Sequence, residues 1–184
     1  AVAAPTANRE AATAVLRETV HEWLTPLEAR DLLAAWGVAQ PPMYATAVSQ
    51  YAVLEAAALL DGPVALKVDR DGANHKSDAD GGGGVQLNLA GPRELEAAFR
   101  RAMDTPNLRG FVVQRMAEPG GEVIVGARQT EVGPVVVVGM GGVFAELLDD
   151  VALTLAPLSH REALELIEQT RVGRLLNGYR TIPS

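Results

Sequence analysis

The chain contains no cysteine. Disulfides, thiolate metal sites and cysteine nucleophiles are therefore excluded, and the absence fits a cytoplasmic protein. Positive charge is scarce: 16 Lys and Arg stand against 23 Asp and Glu, a formal net charge of −7. That balance argues against non-specific nucleic-acid binding, which rests on clustered Lys and Arg. It leaves room for a phosphate ligand, because backbone N–H groups and one Lys can hold a phosphate locally. Long apolar runs are missing too. A stretch such as Val135 to Val138 falls far short of the ~20 residues of a membrane-crossing helix. Ala1 to Arg9 has no basic segment followed by an apolar stretch, so no signal peptide is expected. What is present is core-forming: 48% of the 184 residues are apolar, enough for one domain or two small lobes.

The pattern along the chain predicts a mixed architecture. Ala11 to His21 reads as a helix rich in Ala, Leu and Glu. Thr25, Pro26 and Glu28 supply an N-cap, a first-turn proline and an acid for a second helix. That helix has Leu32, Leu33 and Trp36 on one face and Gly37 as its stop. Ser49 to Leu60 is a third helix, ended by Asp61-Gly62-Pro63. Val64 to Val68 is an apolar strand holding one lysine, Lys67. Asp69 to Gly84 is polar and glycine-rich, hence a loop. Val85 to Leu89 alternates as a strand does, and Pro92 to Met103 is an amphipathic helix. Residues 110–114, 122–126 and 134–139 read as strands, the last running into the glycines 139, 141 and 142. Val143 to Leu148 is expected to be one more strand, and Ser159 to cap a helix reaching about Gln169. Helices, then mixed elements, then a run of strands favour an α+β (mixed α/β) fold of two small lobes. Asn107 to Gly110 offers a boundary between them.

Three places could carry chemistry. His75-Lys76-Ser77-Asp78, followed by Gly81 to Gly84, sets an imidazole, a cation, a hydroxyl and a carboxylate beside four glycines. Glycines let backbone N–H groups approach a phosphate, and the imidazole could carry a phosphoryl group on nitrogen. The same residues also describe an ordinary solvated surface loop. Lys67, inside an apolar strand, is costly to bury without a partner. A nucleotide phosphate would serve; so would snorkelling to water. Glu146, with Asp149 and Asp150 close behind, could ligate Mg²⁺ through oxygen, or be a surface carboxylate beside a turn. His21 and His160 are expected at the surface, without metal-ligand spacing.

Several segments, taken in order, resemble one family. They include Trp23-Leu24-Thr25 with Leu32 to Val38, Gly62-Pro63-Val64-Ala65-Leu66-Lys67, and His75-Lys76-Ser77-Asp78 with Gly83 to Leu89. Val113-Gln114-Arg115-Met116, Gly121 to Gly126, Gly139-Met140-Gly141-Gly142-Val143-Phe144-Ala145-Glu146, Asp150-Val151 and Leu155 to Leu158 continue the series, which closes at Leu176 to Arg180. The chain resembles the ATP-grasp portion of NDP-forming acyl-CoA synthetases, the group of the ADP-forming acetate–CoA ligases. The same module also occurs fused to GNAT-type protein acetyltransferases.

The resemblance implies a division of labour. His75 is the histidine that carries phosphate. Lys67 touches the nucleotide phosphates, and Gln114, Arg115 and Met116 form the hinge that receives adenine, largely through backbone hydrogen bonds. Glu122 faces the nucleotide. Glu146 is the first metal-binding carboxylate, with Asp150 joining it around Mg²⁺. The implied ligand is ATP or ADP with Mg²⁺, and the implied partner is a CoA-binding acyl-CoA synthetase domain or alpha subunit; neither nucleic acid nor membrane is expected. Residues 1–22 would be an N-terminal helical arm or linker, 23–108 the first ATP-grasp lobe and 109–184 an incomplete second lobe, ending before the last metal-binding strand. The sequence also departs from the pattern: Asp80 to Gly82 are extra residues, the Gly126 to Gly133 turn is short, and Thr154 stands where an Arg is usual. Those departures keep a second reading open, that of a non-catalytic, regulatory ATP-grasp module.

Overall fold

A computed structural model describes residues 7–20, 23–70, 84–142 and 150–178. The chain forms two compact units, Ala1–Ala117 and Glu118–Ser184. The first holds α1 (Arg9–Glu18), α2 (Pro26–Ala35), β1 (Met43–Thr46), α3 (Gln50–Ala58), β2 (Val64–Arg70), β3 (Val85–Leu89), α4 (Pro92–Ala102) and β4 (Leu108–Arg115). The second holds β5 (Val123–Thr130), β6 (Gly133–Met140), β7 (Val151–Leu155), α5 (His160–Glu168) and α6 (Arg171–Leu176).

Local chemistry sets the helix ends. The Thr25 hydroxyl accepts from Glu28 N–H at 3.3 Å, and Glu28 Oε2 accepts from Thr25 N–H at 2.7 Å. This reciprocal capping box satisfies two donors that the first turn of α2 leaves open. Gly37, at φ +75°, closes the other end. There Val38 N–H donates to Leu33 O and Gly37 N–H to Ala34 O, a closure that needs a left-handed residue. α1, expected as a separate arm, lies against α2: Asn8 N–H donates to Ala35 O at 2.7 Å, and the Thr19 hydroxyl to Glu28 Oε1 at 3.0 Å.

In the first unit the sheet order is β1-β4-β2-β3, with every pair antiparallel. Alternation divides its faces. Val64, Leu66 and Val68 of β2, with Phe111 and Val113 of β4, pack in one buried cluster with Val53 of α3 and Leu95 and Phe99 of α4. The rings of Phe99 and Phe111 lie 5.1 Å apart. Each large side chain buried here contributes about 1.5–3 kcal/mol. The opposite face carries Ala65, Lys67, Val112 and Gln114. β1 reaches β4 so closely that a Cβ on Gly110 would overlap the Thr46 carbonyl oxygen.

Two expectations need correcting. The lobe boundary, read at 108/109, falls after Ala117, because β4 is a central strand of the first sheet, hydrogen-bonded to both β1 and β2. The polar loop does not begin at Asp69. Asp69 and Arg70 extend β2 opposite Gly110 and Leu108, and Asp69 Oδ1 pairs with Arg109 at 2.8 Å. Residues 71–83 of that loop and the strand expected at 143–148 lie outside the described residues.

The second unit is a meander, β5-β6-β7. Its hairpin turns at Glu131 and Val132, and Gly133 at φ +121° re-enters the sheet, a conformation suited to glycine. Val138, Ala152 and Leu166 form the buried cluster beneath α5. α5 opens with a capping box of Ser159 and Glu162. Among the described residues no helix is long and apolar enough to cross a membrane.

Candidate functional site

The second face of the first sheet brings together two of the residues singled out from sequence. Lys67 pairs with Val112, and Ala65 with Gln114. Lys67 and Gln114 are therefore diagonal neighbours on one face, a separation that long side chains can bridge. They do bridge it: Lys67 Nζ donates to Gln114 Oε1 at 2.5 Å. Lys67 is half-buried, while Gln114 is 7% exposed. The lysine's ammonium is thus held by the sheet rather than left to snorkel freely into water.

Arg115 ends β4, and Met116 follows it. Arg115 N–H donates to Pro42 O and Met116 N–H to Pro63 O, both at 3.0 Å. These two backbone donors are already engaged in the first unit. A base meeting these two residues would meet carbonyl oxygens rather than these amide hydrogens.

Glu122 stands at the start of the second unit's sheet. Its carbonyl accepts from Gly141 N–H at 2.7 Å. Gly142 has φ +74°, and a Cβ there would lie 2.8 Å from Glu122 Oε2. The glycine cluster thus has a local reason: Gly139 and Gly141 make room for the Asp150 carbonyl and the Glu122 backbone, and Gly142 takes the positive φ. Asp150 occupies the same end. Its carbonyl accepts from Met140 N–H at 3.2 Å. Its two carboxylate oxygens accept from Arg171 N–H at 2.7 Å and Val172 N–H at 3.1 Å. Asp150, expected beside Mg²⁺, is here an acceptor that fixes the start of α6, because short helices leave their first N–H groups without internal partners. Sequence reading missed this role, since the partners lie twenty-one residues away.

Among the described residues there is no group of three or more His, Asp or Glu side chains placed to hold a metal. His75 and Glu146, read from sequence as phosphate carrier and metal ligand, lie outside the described residues. His160 is exposed at the first position of α5, as expected.

The two sheets, one holding a lysine on its second face and the other closed by a glycine-rich corner, are those of a known family. The chain matches the ATP-grasp domain family over residues 14–184 and belongs to it. Within that family it is similar to the beta subunit of ADP-forming acetate–CoA ligase I from Pyrococcus furiosus, at 34% identity over 161 residues, covering 83% of this chain and 68% of that subunit. It is 37% identical to ADP-forming acetate–CoA ligase II of Archaeoglobus fulgidus over 156 residues, which are 84% of this chain but 23% of that ligase. The chain therefore spans about a quarter of the length of that ligase. Among solved structures it superposes on the dinucleotide forming acetyl-coenzyme A synthetase 1 of Ca. Korarchaeum cryptofilum with a TM-score of 0.68 and 30% identity, covering 96% of this chain and 78% of that one. That structure holds coenzyme A and Mg-AMPPCP, with its phosphohistidine segment pointing towards the nucleotide binding site.

Proposed function

We propose that this chain is the nucleotide-binding ATP-grasp part of an ADP-forming acyl-CoA synthetase, an acid–thiol ligase, in which a phosphoryl group passes between His75 and ADP. The observation that carries the reading is Lys67, a cation set among the buried apolar residues Val64, Ala65, Leu66 and Val68 of β2 and held by Gln114 at 2.5 Å. A positive charge fixed on a sheet face is suited to a nucleotide's phosphates, whose transfer depends on positioning and charge stabilisation. Similarity to the ligase beta subunit and the phosphohistidine segment of the Korarchaeum enzyme support assigning the carrier role to His75.

The step balances simply. The N–P bond of His75, phosphorylated on one ring nitrogen and protonated on the other, breaks; a terminal oxygen of ADP takes the phosphoryl group, and neutral imidazole and ATP remain. Gln114, Arg115 and Met116 would border the adenine, largely through their backbone. Mg²⁺, when bound, would neutralise charge between the phosphates. Glu146 is the residue we assign to it, while the Asp150 carboxylate serves α6. The CoA-binding acyl-CoA synthetase domain or alpha subunit would supply the acyl and CoA sites, in a cytoplasmic setting that suits a cysteine-free chain.

The test is phosphate transfer in the complete enzyme. Acyl phosphate, CoA and ADP are mixed by rapid quench with the parent and with His75→Ala. The parent should show an acid-labile label on His75 and form ATP, and the variant should do neither while retaining nucleotide affinity. ATP formation at the parent rate by His75→Ala would remove the carrier role. Nucleotide binding without any label in the parent would favour a regulatory module.

A further inference from the structure

Two polar side chains are buried among the described residues, Thr170 at 1% and Gln114 at 7% exposure. Thr170 is accounted for, because its hydroxyl caps α6 by accepting from Gly173 N–H at 3.0 Å. The resemblance uses Gln114 only for its backbone, as part of a hinge for adenine. Its side chain is a separate matter. We infer that Gln114 is the positioning residue for Lys67: its amide oxygen holds the ammonium ready for the nucleotide's phosphates, and it does not read the base. The inference rests on the functional reading above.

Three physical points carry it. An ammonium has donors and no acceptor, so the atom facing Lys67 Nζ must be the amide oxygen. This fixes the orientation of the Gln114 side chain. The register then makes the contact a property of the sheet, because Lys67–Val112 and Ala65–Gln114 pairing sets the two side chains diagonally on one face. A lysine has several rotatable bonds, and one ordered before its ligand arrives loses less freedom on binding. Finally, the amide is neutral. A carboxylate at the same point would hold the lysine but also cancel part of the positive field that a phosphate meets. An amide at this point orients the ammonium without itself cancelling that field.

The experiment is a double-mutant cycle on the complete enzyme with Lys67→Met, Gln114→Met and the double variant, titrated calorimetrically with MgADP and with adenosine. Each single substitution should weaken MgADP by roughly tenfold or more, the loss expected for one charge-assisted contact, with adenosine unaffected. In the Lys67→Met background, Gln114→Met should add less than about a twofold further loss. Equal weakening of adenosine and MgADP by Gln114→Met would overturn the inference, since the side chain would then serve the base. So would a full further loss in the Lys67→Met background, or no loss from Gln114→Met at all. Failure of the unsubstituted enzyme to bind MgADP would instead overturn the functional reading, and the inference with it. A nucleotide-free measurement separates the two. Amine acylation of Lys67, normalised to Lys76 in the same chain, should accelerate several-fold in Gln114→Met. An unchanged rate would mean that the amide does not hold the lysine.

Discussion

Glu162 illustrates how much of this chain is set by single side chains meeting backbone donors. Its Oε2 accepts from Ser159 N–H at 2.8 Å and from the Ser159 hydroxyl at 2.6 Å. The side-chain hydrogen bond to Ser159, and then the backbone one, hold the Glu162 carboxyl below its ordinary range. A depressed folded-state value means the ionised form is favoured by folding. The stabilisation is therefore present above the unfolded-state pKa and is lost as pH falls through the folded-state value. Glu162→Gln keeps the shape and an acceptor oxygen but removes the charge. The parent should show the higher thermal midpoint near neutrality, and the gap should close as pH is lowered through the carboxylate range. Because the comparison is between variants, titration of the other acids cancels. A gap that stays constant with pH would show that charge plays no part in this cap.

Among the elements, those whose reason is local were readable in advance. α2 follows from Thr25, Pro26, Glu28 and Gly37, and β3 runs over Val85–Leu89, the span its alternation marks. β1 was not readable: Met43–Thr46 follows two prolines, has no clear alternation, and exists because Thr46 and Tyr44 find partners in Phe111 and Val113 on β4. β7 was missed because its register is set by β6, with Leu155 opposite Val135. Asp150 is the same lesson at a site. A carboxylate just after a candidate metal ligand reads as another ligand, yet contact across the fold gives it to α6. Replacing it with Ala should cost about 0.5–2 kcal/mol, the usual range for a lost helix cap. In metal-free protein it should also accelerate hydrogen exchange at the Arg171 and Val172 amides. If exchange there were unchanged while the Mg²⁺ requirement rose, Asp150 would return to the metal.

The whole molecule is unevenly built, and the difference follows from its apolar faces. The first unit buries a cluster of thirteen residues, including Phe99, Phe111, Leu66 and Leu95, between one sheet face and two helices. Among the described residues of the second unit the buried cluster has three members, Val138, Ala152 and Leu166. Ile124, Val151, Leu153 and Leu155, all on the sheet face opposite that cluster by their register with Gly139, Val137 and Val135, are exposed by 46, 55, 65 and 50%. Ordering each residue's backbone costs about 1–2 kcal/mol, which must be offset by burial. Among the described residues the buried apolar side chains of this unit are Val138, Ala152, Leu166 and Val172, and four cannot do that at about 1.5–3 kcal/mol each. Residues 118–121, Glu-Pro-Gly-Gly, are exposed between the last strand of one unit and the first of the other, so a cut there interrupts no strand. Residues 1–117 expressed alone should therefore give a cooperative urea transition by circular dichroism. Residues 118–184 alone should give none, and should bind a dye for exposed apolar surface. A cooperative transition in the second fragment would mean that its open face is covered in solution, for instance by self-association. In that case the midpoint would rise with protein concentration, whereas a fragment folded on its own small core would keep one midpoint at every dilution.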